Sequence, residues 1–272
     1  MAHHPWLATM KKIAFLLHGH MRSFEFTHQS FNAVLNDLKT KYECDVFIHT
    51  WNELEPRTPT WHEGYLKVQS IDVDEDRILS IYDPVRCLVE KQDIKNPDRT
   101  IFHNQCEEGV LYAQYSRYKV NELKKQYEKL HDFRYDIVIV SRPDIIYYQN
   151  FLHEELQNHE FLWVSQVFLG GGSDILFASN SEKIDKVCEF YNHFHETPKS
   201  HNVESTLENY LRTVNLQKKT SRYCMPRDWK ITRSWWGEDK NPSPGTSDHR
   251  IWDKNVGTRE IDQNNQYTYF RI

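Results

Sequence analysis

Metal-ligand spacing and disulfide spacing are both missing from this chain of 272 residues. Its cysteines, Cys44, Cys87, Cys106, Cys188 and Cys224, are scattered and odd in number, and no two stand as CxxC. Neither a zinc site nor a disulfide framework is suggested, and a reducing, cytoplasmic setting is expected. No apolar run approaches the ~20 residues of a membrane span, which leaves at most peripheral contact with a membrane. Residues 1–9 lack the apolar core of a signal peptide and are read as an N-terminal extension outside the fold. A basic excess is also absent. The formal charge of −5 and a pI near 6.3 argue against a nucleic-acid binder that works by neutralising phosphates. Internal repeats and low-complexity tracts do not occur. Neither GxGxxG nor GxxxxGK[ST] is found, so a dinucleotide fold and a P-loop phosphoryl or sulfuryl transferase lack support.

What the chain does have is a run of four β-branched apolar residues, Ile137 to Val140, followed by Ser141-Arg142-Pro143-Asp144. The run reads as a strand buried on both faces, as in a parallel sheet. In open α/β sheets, ligands bind in the crevice beyond the carboxyl ends of the strands. Arg142 could there hold a phosphate, and Asp144 a metal or a sugar hydroxyl. The plainer alternative is that both only solvate the exit of a core strand. Asp144 is expected at that exit rather than in the core.

In chain order, Ile13–Leu17 predicts a strand ending in the glycine-bearing turn His18 to Ser23. Phe31, Val34, Leu35 and Leu38 mark the buried side of the helix that comes next. Cys44–Trp51 is a second strand. Asn52 to Gly64 reads as a loop. Asp72 to Asp76 favours the start of a short helix over a metal cluster. Val85–Glu90 is a third strand, and Asp93 to Asn104 a polar connection. Glu108 to Leu130 predicts a long helix, with Ala113, Ser116, Val120, Leu123, Tyr127 and Leu130 on its buried stripe. Strands are expected at Phe161–Val164 and Ile175–Ala178, the second after a glycine turn, Gly170 to Gly172, that delivers Asp174. Ser181 is expected to cap one helix, and another begins at His201 with Glu204 in its first turn. Beyond Asn215 the chain reads as irregular, with Trp229, Trp235, Trp236 and Trp252 among polar residues. Together these elements predict an α/β fold: a mostly parallel central sheet flanked by helices, spanning 10–216, with 217–272 as an extension that packs on it or acts as a lid.

Several stretches carry a resemblance in their order and spacing. They are Ile13–Arg22 with its Gly-x-x-Arg turn, Asp45–Trp51, Ile81-Tyr82-Asp83-Pro84, Tyr115–Lys119, Tyr135–Asp144, Ser173–Phe177 and Glu204–Leu207. From Lys12 to about Leu216 the sequence resembles the nucleotide-sugar glycosyltransferases of bacterial and large-virus surface-polysaccharide synthesis, of the GT-A-like type. That resemblance implies a Rossmann-like GT-A sheet and transfer of a hexose or pentose from a nucleoside-diphosphate sugar to a hydroxyl of a glycan acceptor.

The leaving diphosphate needs its charge stabilised by a divalent cation or by Arg and Lys. Most such enzymes use Asp-x-Asp after a central strand to hold Mn or Mg. This chain has Arg142-Pro143-Asp144 there, which makes Asp144 a lone candidate metal ligand or an acceptor for sugar hydroxyls. Arg142, Arg22, Arg117 and Lys119 become candidate diphosphate contacts, and Gly19 a residue beside the nucleotide. If configuration inverts, a carboxylate must take the acceptor proton, with Asp174 or Glu204 in that role. Two other classes stay open: a glycoside hydrolase using Asp174 and Glu204 as its carboxylate pair, and a non-catalytic carbohydrate-binding protein that stacks sugars on its 8 Trp.

Overall fold

A computed structural model describes residues 10–55, 72–92, 100–102, 105–148, 162–166, 172–216, 218–224 and 229–231, with the backbone alone in 100–102, 105–108, 162–166, 172–174, 218–224 and 230. The chain begins with β1 (Lys12–His18), α1 (Phe24–Lys39) and β2 (Glu43–Trp51). α1 forms because Phe24, Thr27, Phe31, Val34, Leu35 and Leu38 recur at helical spacing, and all of them are buried. α2 (Glu75–Tyr82) starts where Asp74 caps it, its carboxylate accepting from the Arg77 N–H at 2.9 Å. The acids at 72–76 therefore serve a helix start, as their placement before an apolar stripe predicts.

β3 (Arg86–Glu90) follows, then a short antiparallel pair, β4 (Thr100–Phe102) and β5 (Gln105–Cys106), where the sequence predicts only a connection. α3 (Glu107–His131) leads into β6 (Ile137–Ser141), which holds the β-branched run and is fully buried. Next come β7 (Ile145–Tyr147), β8 (Leu162–Gln166) and β9 (Gly172–Ser179). The helices α4 (Ser181–Cys188), α5 (Phe190–His193) and α6 (Val203–Thr213) follow, then β10 (Lys218–Cys224) and β11 (Trp229–Ile231). The cap of α4 is Asn180, which accepts from the Lys183 N–H at 2.9 Å, and not Ser181. The Ser181 hydroxyl is spent elsewhere, donating to Glu128 at 2.6 Å and accepting from Lys124.

Seven strands form the central sheet in the order β10-β8-β9-β6-β1-β2-β3. All run parallel except β9, which is antiparallel to both neighbours. Side chains alternate across β1. Ile13, Phe15 and Leu17 join the cluster under α1 and α2, while Ala14 and Leu16 join the cluster under α3 and α4 to α6. A buried ion network ties α3 to α4: Lys124, fully buried, lies 2.8 Å from Asp185 and 3.6 Å from Glu128.

The region after Asn215 is not irregular throughout. β10 adds an edge strand to the main sheet beside β8, and β11 pairs with β7. Its Trp229 is fully buried in the core cluster that holds Ile145 and Tyr147. Trp235, Trp236 and Trp252 lie outside the described residues, as do most of the loop at 52–64 and Gly170 and Gly171.

Candidate active site

The chain moves outward from β1 to β2 and β3, then returns through α3 to β6 on the other side of β1. The strand order reverses at β1, and a crevice lies beyond the carboxyl ends of β1 and β6, where the β6 exit turns back under α1. A pocket lies there. His18, Gly19, His20 and Arg22 line it from the β1 loop, Trp51 from β2, Gln92 from beyond β3, and Arg142 from the β6 exit.

The β1 loop takes its shape from two residues with positive φ. Gly19 sits at φ 94, and a Cβ built there meets nothing within 4 Å, so the glycine is needed for its backbone angle rather than for space. Arg22 sits at φ 47, a left-handed conformation that costs a non-glycine residue of order 1–3 kcal/mol. Its N–H is held by the Leu54 carbonyl at 2.9 Å. The strained backbone aims the guanidinium across the crevice, with Nε 3.1 Å from Glu55 and Nη1 donating to Asp144 at 2.9 Å. Strain of this kind collects where geometry serves a site.

From the other lip, Arg142 donates from Nε to Asp144 Oδ1 at 2.9 Å and from Nη2 to Oδ2 at 2.5 Å. The turn is fixed to α1 by Thr27, whose hydroxyl donates to the Pro143 carbonyl, and by the Tyr147 N–H, which donates to Ser30 at 3.1 Å. Asp144 is fully buried between the two guanidinium groups. It is thus not the exposed strand exit expected of it. Its position does not fit a metal ligand either. Both oxygens accept guanidinium N–H groups, and a divalent cation, which needs several oxygens at 2.0–2.6 Å, would stand against two fixed positive charges. Among the described residues no three His, Cys, Asp or Glu side chains gather to hold an ion. Asp144 instead orients the two arginines.

Behind the pocket runs a chain of hydrogen bonds that the sequence did not single out. Glu90 accepts from His49 Nε2 at 2.7 Å, and His49 Nδ1 lies 2.7 Å from Ser116 Oγ, which accepts the Gly19 N–H at 2.7 Å. Burial lowers His49 to about 4 despite the hydrogen bond to Glu90, so the ring is neutral. With Nε2–H given to a carboxylate, Nδ1 is the acceptor and Ser116 the donor to it. The relay therefore pins the Gly19 turn to β3 through α3. Burial alone would raise Glu90, but its hydrogen bonds from His49 and Tyr115 and the charge of Lys119 hold it below its ordinary value.

Two more histidines face the pocket. Burial lowers His20 to about 3, with Arg22 adding to the effect. His20 Nδ1 is 2.9 Å from the Glu53 carbonyl, and Nε2 is 3.0 Å from the Gln92 amide. A neutral ring donating to Glu53 requires Gln92 to present its NH2 group. His18 is 3% exposed, and neither of its ring nitrogens has a hydrogen-bond partner among the described residues. Burial, reinforced by Arg117 and Arg142, holds it far below its ordinary value.

The structure thus brings together Gly19, Arg22, Arg142 and Asp144 of the residues expected from sequence. It does not bring Arg117 or Lys119 to the pocket wall. Arg117 is 1% exposed beneath it, over the Phe177 ring and donating to Gln114 at 2.8 Å. Lys119 lies over Tyr115 and 4.0 Å from Glu90. Asp174 falls within β9 rather than on a glycine turn. The antiparallel register of β9 with β6, Val140 opposite Phe177, puts its first residues at the same edge of the sheet as the pocket. The Asp174 side chain lies outside the described part of the chain. Glu204 occupies the first turn of α6 and is not part of the pocket wall. The aromatic wealth goes largely inward: Trp51 is 2% exposed, stacked on Tyr115 with centroids 5.8 Å apart, and Trp229 is fully buried. Neither can stack a sugar on an open face. Among the described residues, no helix is long and apolar enough to cross a membrane.

No family model matches this chain, and no curated protein does. Two solved structures similar to it are both glycosyltransferases. One is the apo form of the glycosyltransferase GlyE from Streptococcus pneumoniae TIGR4, at 11% identity over 78% of this chain and a TM-score of 0.35. The chain spans 45% of that protein's length. The other is a glycosyltransferase involved in glycosylation of the major capsid of the virus PBCV-1, at 10% identity over 78% of this chain and 82% of that one, with a TM-score of 0.37. Both TM-scores lie below one half, too low for either likeness to carry an argument about activity.

Proposed function

We propose that this protein transfers a sugar from a nucleoside-diphosphate sugar to a hydroxyl of a glycan acceptor, with the diphosphate held at the β1/β6 crevice. The observation that carries the reading is the convergence of Arg22 and Arg142 on one pocket at the point where strand order reverses. Arg142 is 19% exposed and gives Asp144 only part of its fork of five N–H donors. Planar, fixed guanidinium groups suit diphosphate oxygens. As the sugar–phosphate bond breaks, negative charge grows on the leaving diphosphate, and preoriented cations stabilise it without reorganising. Arg22 and Arg142 would fill that role in place of a divalent cation.

The acceptor hydroxyl must lose a proton as it attacks. Asp174, at the pocket edge of the sheet by backbone register, is the preferred base if configuration inverts; Glu204 is the other candidate. A bound divalent cation is no part of the proposed step, because Asp144 is committed to the arginines.

The test is a thermal-shift panel of UDP, GDP, ADP and CDP, followed by donor hydrolysis with and without Mn or Mg and excess chelator. Stabilisation by one nucleotide and chelator-resistant release of nucleoside diphosphate are expected. Absence of stabilisation by all four would overturn the reading and leave the glycoside hydrolase in its place.

A further inference from the structure

Within that glycosyl-transfer reading, on which this inference rests, we infer that His18 is the residue that reads a pair of neighbouring hydroxyls on the bound nucleotide sugar. His18 closes β1, opposite His49 in the parallel register, and its ring forms part of the pocket wall between Gly19 and Arg142. It is 3% exposed, and among the described residues both ring nitrogens lack a hydrogen-bond partner. Buried polar atoms in folded proteins are almost always satisfied, and one left alone is a cost that a bound ligand can remove. His20 and His49, its neighbours on the same sheet edge, both have their nitrogens engaged. The contrast marks His18 as the one of the three whose partners arrive from outside.

The chemistry of the ring says what those partners are. Burial and the charges of Arg117 and Arg142 keep it neutral, so it offers one N–H donor and one lone pair. An ionised diphosphate has only acceptors and would leave the lone pair unmet. A hydroxyl both donates and accepts, and two adjacent hydroxyls can satisfy both nitrogens. The division of labour is then clear: arginines take the anion, and an uncharged imidazole takes the diol. Ribose and the transferred sugar both carry such a pair.

The experiment measures affinity by calorimetry for wild type, His18→Leu and His18→Gln. The probes are whichever nucleotide of the panel stabilises the protein, its 2′-deoxy form, and the corresponding nucleotide-glucose. Thermal melts of the variants alone accompany them. His18→Leu is expected to melt at or above the wild-type temperature, because an unsatisfied polar group is removed, yet to bind at least tenfold more weakly. His18→Gln is expected to recover part of the loss. If ribose is read, wild type prefers the ribonucleotide to its 2′-deoxy form and His18→Leu loses that preference. If the transferred sugar is read, the loss appears with nucleotide-glucose and not with the nucleoside diphosphate. Equal affinity of wild type and His18→Leu for every probe overturns the inference while the transfer reading stands. Binding of none of the four nucleotides by wild type overturns both. Should His18→Leu fail to fold, His18→Gln carries the comparison, and its loss of discrimination or wild-type behaviour decides in the same way.

Discussion

Replacing Asp144 by Asn keeps the shape of the side chain and removes its charge from between two guanidinium groups. Asp144 is fully buried, while Arg22 and Arg142 are 11% and 19% exposed. Breaking a buried ion pair by removing one partner costs roughly 3–5 kcal/mol. Here the remaining cations reach some water, and Asn keeps one acceptor oxygen, so a value below that range applies: about 2–3 kcal/mol. In a chain of this size that lowers Tm by roughly 4–8 °C. Arg22 keeps Glu55 at 3.1 Å, so the crevice should not collapse. Nucleoside diphosphate affinity should be retained within about threefold or improve, because the fork of Arg142 loses its internal acceptor. Urea denaturation gives the stability change, and calorimetry with the stabilising nucleotide gives the affinity. A variant as stable as wild type that no longer binds nucleotide would refute the reasoning and make Asp144 a ligand contact.

Ser116→Ala removes the acceptor for the half-buried Gly19 N–H and the donor to the buried His49. A stability loss of about 1–3 kcal/mol and weaker nucleotide binding are expected in denaturation and calorimetry, and unchanged binding would separate the relay from the pocket. Gly19→Ala adds a methyl in open space but at φ 94, so its cost should be backbone strain alone, about 1–2 kcal/mol by urea titration; a disproportionate fall in affinity would mean that the diphosphate passes over this Cα. Stability should be flat above pH 7 and fall below about 6.5, because His18, His20 and His49 titrate near 6.5 once unfolded but stay neutral when folded. His49 alone, at about 4 in the fold, accounts for about 3 kcal/mol lost between those two values. Urea midpoints across pH 4–8 check this, and a flat profile down to pH 5 would contradict it.

Local pattern carried much of the fold. The β-branched run of β6 and the stripes of α1 and α3 needed only neighbours in sequence to be recognised. Direction was not legible: Ile175–Ala178 is a short apolar run that reads the same in either sense, and only pairing revealed β9 as antiparallel. β10 was missed because Lys218, Lys219, Thr220 and Ser221 look like a loop, although charged and polar residues are what an edge strand carries. In the site, Arg22 and Arg142 were found through their places after strands. Their common anchor was not, because Arg22 meets Asp144 across 122 residues. The Glu90–His49–Ser116 relay joins three elements; His49 and Ser116 lie in stretches that carry the resemblance, but nothing in the sequence links them to each other or to Glu90. Lys119 and Arg117 were drawn toward the site by charge and helix position, but a helix stripe does not tell which end of a long side chain finds a partner first.

β11 has a consequence for the order in which the protein is made. β7 begins at Ile145, directly after Asp144, and its antiparallel partner is Trp229–Ile231, which a ribosome delivers roughly eighty residues later. Until then the core cluster around Ile145 and Tyr147 lacks its buried indole. The parallel strands β1, β2, β3 and β6 can assemble early, but the strand that follows Asp144 gains its partner late. A nascent chain released before Trp229 would hold the sheet with β7 unpaired, and refolding of Trp229→Phe beside wild type, followed by Trp fluorescence, should separate the burial of this indole from that of the other tryptophans.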